Sequence, residues 1–282
     1  MLPCRTSALG FLTLSLTLQT APATSENELP LAGLHGLGRV EYGVTQSNNP
    51  KRSYYTYVRI PEEEPGENGF PTIYLLDGGI TFPLLAAYYR YLRLADEVPP
   101  MLIVGISYPS NTFEGGNYRS TDFTAPSPER DYWGGADQFR QRLVESVFPF
   151  VERRYNGDPN QRLLFGQSLG GQFAIDTAFH APELFAGLIA SNPALHRNLD
   201  HFTDPDKIRS DVASPPRLFV SAAENDHPDF RGPARAWIEF WQDRPLPLQL
   251  KIYRPAGHNH FTPAPAAFRA GLRWLLDDSP SP

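Results

Sequence analysis

Residues 163–173 read LLFGQSLGGQF, and few folds can accommodate that stretch. The short, mostly apolar run Arg162 to Phe165 predicts a buried strand, and Gln172 to His180 predicts a helix. Only Gly166-Gln167-Ser168-Leu169-Gly170-Gly171 lies between them, so strand must pass to helix through a very tight turn with Ser168 at its apex. Such a turn strains the serine backbone and lifts its hydroxyl clear of the sheet. Gly166 and Gly170 are expected there for space, because a Cβ at either position would meet the crossing strand or helix. The N–H of Leu169 then points at the place where an oxyanion would form. The pattern G-x-S-x-G alone arises by chance in roughly one chain in ten of this size. A glycine-rich turn closing a buried strand is therefore the plain alternative, and the rest of the chain has to decide.

Strand-like and helix-like stretches alternate along the sequence. Arg39 to Val44 and Ser53 to Ile60 read as two antiparallel strands. Pro71 to Leu76 and Met101 to Ser107 are continuous apolar runs, as expected of buried parallel strands. Pro83 to Ala95 lies between them and reads as a helix with Pro83 in its first turn. Tyr108 to Gly135 is long and irregular, and a loop of that length in a compact domain usually has a task. Ala136 to Tyr155 reads as one helix interrupted at Pro149. Gly187 to Ser191, Arg217 to Ala222 and Leu248 to Tyr253 read as further strands, with helices at Arg231 to Arg244 and Ala264 to Leu276. This predicts an α/β fold with a mostly parallel central sheet and helices on both faces, and functional residues at the carboxyl ends of the strands.

A serine hydroxyl needs a base to take its proton and an acid to orient that base. A candidate acid and a candidate histidine follow Ser168 in the order Ser, Asp/Glu, His, which is that of an α/β-hydrolase. The base belongs on the loop after the last strand, where His258 and His260 stand. His260 is preferred, and His258 is read as its neighbour in the cleft. The acid should follow Arg217 to Ala222. Glu224 is the first choice and Asp226 the second, with Asp229 a further option. The second oxyanion donor should come from the turn after Leu76, where Gly78, Gly79 or Ile80 could present an amide, and Gly79 is the choice. Arg119, Arg130, His196 and Arg197 are candidate cationic residues around the cleft, and Tyr132 and Trp133 a candidate stacking platform. A metal at His258 and His260 with Glu224, Asp226 and His227 is not expected, because the serine machinery already accounts for the histidine. No metal and no cofactor is expected.

The amino terminus reads as something other than fold. Arg5 is the one charge before Glu26, Ala8 to Leu18 is apolar with interspersed Thr and Ser, and Ala21-Pro22-Ala23 suits cleavage after a small residue. Residues 1–23 are expected to be a secretory signal peptide, with an uncleaved anchor as the alternative. Residues 24–38 are expected to be a linker, and 39–282 a single catalytic domain. Cleavage would remove Cys4, the one cysteine, and take the formal net charge from −6 to −7 by removing Arg5. An exported protein without disulfides must be held by its core alone. No Lys/Arg-rich run favours nucleic acid. The expected location is periplasmic or secreted, with a small-molecule ester as partner and no membrane span after cleavage.

Several segments together resemble the α/β-hydrolase esterase family that includes esterase D and the periplasmic siderophore esterases. They are Tyr74-Leu75-Leu76-Asp77-Gly78, Arg119-Ser120-Thr121-Asp122-Phe123-Thr124, Gly134-Gly135-Ala136, Gly166-Gln167-Ser168-Leu169-Gly170-Gly171 and Gly257-His258-Asn259-His260-Phe261-Thr262. The last segment is similar to the family's G-x-x-H-x-[ST], which favours His260 over His258. Two departures stand out. Ala256 occupies a position where the family often has Glu, and Asn192-Pro193-Ala194-Leu195-His196-Arg197 replaces the family's S-P-S-x-W-W. The resemblance implies a serine esterase, with a trilactone siderophore as the leading substrate. A carbohydrate (feruloyl or acetyl) esterase, an acyltransferase and a non-catalytic binding protein on the same scaffold are the alternatives.

Overall fold

The computed structural model describes residues 35–48 and 51–277. The expected leader and most of the expected linker lie outside the described residues. Eight strands form one sheet: β1 (Arg39–Asn48), β2 (Lys51–Ile60), β3 (Phe70–Leu75), β4 (Leu102–Ser107), β5 (Gly157–Gln167), β6 (Gly187–Ser191), β7 (Arg217–Ser221) and β8 (Gln249–Tyr253). Their spatial order is β1-β2-β4-β3-β5-β6-β7-β8. β1 and β2 are antiparallel to each other, β2 is antiparallel to β4, and the six strands from β4 to β8 are parallel.

The central parallel strands carry continuous buried runs because helices cover both faces. Along β3, Ile73 and Leu75 enter one core while Tyr74 and the following Leu76 enter the other, the two-residue period of a strand. One face is covered by α1 (Gly78–Leu94) and α8 (Ala264–Leu275). The other is covered by α3 (Ala136–Arg142), α4 (Phe148–Tyr155), α5 (Leu169–His180) and α7 (Pro228–Trp241). Two short helices, α2 (Arg119–Asp122) and α6 (Leu199–Phe202), lie in the connections. Among the described residues no helix is long and apolar enough to cross a membrane.

Three details refine the sequence reading. The helix expected from Pro83 begins at Gly78 and runs through the proline. Its start can lie directly on β4 because a Cβ on Gly78 would come within 2.6 Å of the Gly105 and Ile106 backbone. The helix expected over 136–155 widens into a π-type turn at Leu143–Val147 between α3 and α4. Pro149 follows at once: it has no N–H to give and its ring crowds the carbonyl four residues back, so the ladder slips before it. The long loop 108–135 is tied down at several points. Asp122 is fully buried and accepts hydrogen bonds from Arg52, from Tyr54 Oη at 3.0 Å and from Tyr108 Oη at 2.9 Å. Further along, the Ala125 N–H donates to Gln172 Oε1 on α5 at 3.1 Å, and Ser127 Oγ donates to the Arg197 carbonyl at 2.9 Å.

The chain reverses its direction of travel across the sheet between β3 and β5. β3 leads through α1 to β4 on one side, whereas β5 leads on to β6, β7 and β8 on the other. β3 and β5 pair directly, Leu75 beside Phe165, so the turns that follow them emerge side by side. A crevice outside the carboxyl ends at such a reversal is where open α/β sheets bind ligands.

Candidate active site

The turn after β5 is as tight as the sequence requires. Ser168 has φ 58° and ψ −115°, a strained conformation for a residue with a side chain. A Cβ on Gly166 would stand 2.1 Å from the Gly170 carbonyl oxygen, so that glycine is obligatory. Gly170 has more room than expected, its nearest neighbour being Leu76 Cβ at 3.4 Å. The second close approach is at Gly171, where a Cβ would lie 3.0 Å from the Ser191 carbonyl oxygen and 3.1 Å from Pro193 Cα. The turn is pinned from β6 as well: the Ser168 N–H donates to the Ser191 carbonyl at 2.9 Å, and the Ser168 carbonyl accepts from Ala194.

His260 meets this serine. Its Nε2 lies 2.9 Å from Ser168 Oγ, and its Nδ1 lies 3.0 Å from Asp226 Oδ2. With the carboxylate on the Nδ1 side, Nδ1 carries the proton and Nε2 is free to accept from the serine hydroxyl. His260 is 5% exposed and Asp226 6%, so the pair sits out of bulk water, while Ser168 is half-buried. Phe230, near the start of α7, stacks on the imidazole at 4.1 Å between ring centroids and 20° between planes. Gln167 Nε2 donates to the His260 carbonyl at 2.8 Å, tying the histidine loop to the serine turn.

The acid beside His260 is the second choice, Asp226, and not Glu224. After β7 the chain turns, with the Asp226 N–H directed at the Ala223 carbonyl, and residue 226 is buried while 224 and 225 are exposed. Glu224 stands exposed at the outer corner of that turn, where its carbonyl accepts from Arg231. Asp226 is fixed on both oxygens. Oδ1 accepts the His227 N–H at 2.7 Å, and Oδ2 accepts from Asn192 Nδ2 at 3.2 Å besides His260. Asn192 also bonds the Asn259 carbonyl and the Ala223 N–H, so one side chain joins the turns after β6, β7 and β8. Its φ of 43° marks it as a residue held in place, and the sequence reading gave it no role beyond its place in the segment that departs from the family pattern.

The other predicted residues separate into those the fold brings to the serine and those it does not. Leu169 is the first residue of α5 and Gly79 the second of α1, so their N–H groups have no carbonyl a turn earlier to bond. The Ile80 N–H is already committed to the Asp77 carbonyl at 2.9 Å. Of Gly78 and Gly79, the first is buried and the second exposed. Asp77, at φ 54°, sets the angle of this turn and is gripped by Arg119: Nε to Oδ1 at 2.7 Å and Nη2 to Oδ2 at 2.8 Å. Arg119 is thus a brace for the turn rather than a free cation. Burial works against its charge, but the Asp77 hydrogen bond and charge outweigh it and push its pKa up. Arg197 is paired with Glu129 at 2.6 Å.

His258 does not face the serine. Its Nδ1 lies 3.2 Å from Thr262 Oγ1, and it lines a groove with Tyr88, Tyr253 and Arg269 that neither Ser168 nor His260 lines. Trp133 is half-buried and edge-on to His196 at 6.4 Å, and His196 is edge-on to Phe230 at 4.8 Å. An aromatic wall therefore runs from loop 108–135 to the ring stacked on His260. Burial, aided by the neighbouring Arg197 charge, pushes the His196 pKa down.

Residues 47–273 match the family model described as "Putative esterase". Over 206 residues the chain is 32% identical to the ferri-bacillibactin esterase BesA of Bacillus subtilis, a stretch covering 65% of this chain and 70% of that protein. Over 159 residues it is 30% identical to the apo-salmochelin esterase of Escherichia coli, covering 53% of this chain and 49% of the relative. Among solved structures, the siderophore hydrolase EstB of Aspergillus nidulans superposes with a TM-score of 0.71 at 21% identity, covering 93% of this chain and all of that one. At that identity the likeness speaks to the fold, which is the α/β-hydrolase fold.

Proposed function

This chain belongs to the esterase family, and from that premise we propose that it is a serine ester hydrolase working through Ser168, His260 and Asp226. The observation that carries the reading is the unbroken chain of hydrogen bonds from Ser168 Oγ through both nitrogens of His260 to Asp226, at 2.9 and 3.0 Å. Ser168 Oγ attacks the ester carbonyl carbon while His260 Nε2 takes its proton. The carbonyl oxygen becomes an oxyanion between the N–H groups of Leu169 and Gly79, donors of a kind worth about 10²–10³-fold each. As the intermediate collapses, the C–O bond to the leaving alcohol breaks and His260 returns the proton to that alcohol. Water then attacks the acyl-enzyme, with His260 again the base, releasing the acid and restoring the Ser168 hydroxyl. Asp226 keeps the imidazole in the reactive tautomer and stabilises the imidazolium that forms.

The substrate class rests on the relatives: a ferri-bacillibactin esterase, an apo-salmochelin esterase and a siderophore hydrolase. We take the substrate to be a siderophore ester, with a trilactone as the leading form, and the location to be periplasmic or secreted after loss of residues 1–23. Trp133 and His196, on the wall leading to His260, are the residues placed to contact an aryl group. The test is hydrolysis of p-nitrophenyl acetate, butyrate and octanoate, then of a trilactone siderophore, by wild type, Ser168→Ala and His260→Ala. The expected result is turnover by wild type and a loss of about 10³–10⁶-fold in both variants. Turnover of the nitrophenyl esters with none of any trilactone would remove the substrate and leave the esterase. Failure of wild type to hydrolyse any ester, with no labelling of Ser168 by a serine-directed phosphonate, would remove the catalytic reading.

A further inference from the structure

Well away from the serine, three potential metal ligands converge on one side of α5. Asp176 and His180 are four residues apart on that helix, hence on one face a turn apart. His201 reaches them from α6. Asp176 Oδ1 lies 2.8 Å from His201 Nε2 and 3.2 Å from His180 Nδ1, and the three ligand atoms all lie within 4.8 Å of one another. The imidazole rings stand 5.1 Å apart, inclined at 35°.

We propose that Asp176, His180 and His201 form a structural site for a divalent ion of the zinc class. A tetrahedral ion with bonds of about 2.0–2.2 Å to nitrogen and oxygen needs ligand atoms about 3.4 Å apart. The two spacings from Asp176 Oδ1, 2.8 and 3.2 Å, need only a small expansion to meet that. The carboxylate already has a counter-charge, because Arg140 Nη1 holds its other oxygen, Oδ2, at 2.6 Å. Two further imidazoles on Oδ1 exceed what that single charge requires, and each brings a nitrogen suited to zinc. Arg140 then acts as the outer hydrogen-bonding partner that metal-bound carboxylates usually have. Burial pushes the Asp176 carboxyl up, but the hydrogen bonds from His180 and His201 and the Arg140 charge outweigh it and hold it well below the usual carboxylate range. The side chains of His180 and His201 remain 24% and 18% exposed, which leaves a way in and a fourth position for water.

Without an ion, His180 Nδ1 also lies 2.9 Å from the Asp176 carbonyl, so it carries a hydrogen there. Binding through Nδ1 moves that proton: neutral His180 changes to the Nε2–H tautomer with no net release, and charged His180 gives up one proton. The bound ion would clamp α5 to α6. Since Asp176 sits about 12 Å along α5 from the serine turn, stability rather than turnover should respond.

The experiment is calorimetric titration of the metal-free full chain with zinc, repeated on His180→Gln and His201→Gln, with thermal melts and p-nitrophenyl butyrate turnover alongside. One zinc per chain, a raised melting temperature, unchanged kcat and binding weakened by about tenfold or more in each variant are expected. Cobalt(II) should give the intense visible bands of a four-coordinate ion in wild type and lose them in both variants, a readout that simple destabilisation would not mimic. Absence of zinc uptake by the folded wild type would overturn the site, leaving a carboxylate shared by an arginine and two histidines. Uptake that both variants retain unchanged would overturn it equally.

Discussion

Asp226 and Glu224 stand two positions apart and carry the same charge, yet they occupy opposite environments. Asp226 is buried against His260, whereas Glu224 is exposed. Asp226→Asn should therefore lower kcat for p-nitrophenyl butyrate by about 10⁴-fold, because an amide facing Nδ1 favours the wrong tautomer. Glu224→Gln should leave kcat within about twofold, and a comparable loss in that variant would sink the assignment. Arg119→Ala gives a different signature. It leaves Asp77 without its paired donors beside the first amides of α1, and charge-assisted hydrogen bonds of this kind contribute about 1.5–3 kcal/mol. Urea unfolding should show a loss of that size. Arg119→Lys should recover only part of it, since a lysine cannot make both bonds at once.

The serine turn is an element whose glycines are not equivalent, and thermal melting can separate them. Gly166→Ala places a Cβ 2.1 Å from a backbone oxygen that cannot move aside and should cost about 3 kcal/mol or more. Gly170→Ala meets nothing closer than 3.4 Å and should cost about 1 kcal/mol or less. The wall formed by His196 has a pH signature. Its folded pKa is pushed below the ordinary 6.5, so the unfolded chain takes up the proton first. Its share of stability is complete above about 6.5 and is lost as pH falls below that. In His196→Gln the fall of melting temperature between pH 7 and pH 5 should be shallower than in wild type. Much of this element-level picture was legible in the sequence, since the apolar runs and the serine turn are local patterns and the order Ser, acid, His is read directly along the chain. What stayed hidden depends on how turns bend in space. The fold of residues 223–226, which exchanges Glu224 for Asp226, leaves no periodic signal. Nor does the reach of Asn192 across three turns, or the stacking of Phe230 from a different helix. Arg119 stood only as a candidate cation of the cleft or a loop brace because its partner, Asp77, lies forty-two residues away.

On the scale of the molecule, the three residues proposed for catalysis hang from strands with very unequal support. Ser168 follows β5, which has β3 on one side and β6 on the other, while Asp226 follows β7 and His260 follows β8, the last strand of the sheet. Amide exchange should reflect this, with β5 opening only in global unfolding and β8 and its following loop opening at lower free energy. An exchange map in which β5 and β8 protect equally would contradict that ranking. The placement has an operational consequence. On gentle warming the molecule should lose its proton acceptor before its nucleophile, so ester turnover should fade while the circular dichroism of the sheet is still native. Cooling should bring it back, because β8 and the histidine loop have only to return to a serine turn that stayed on β5.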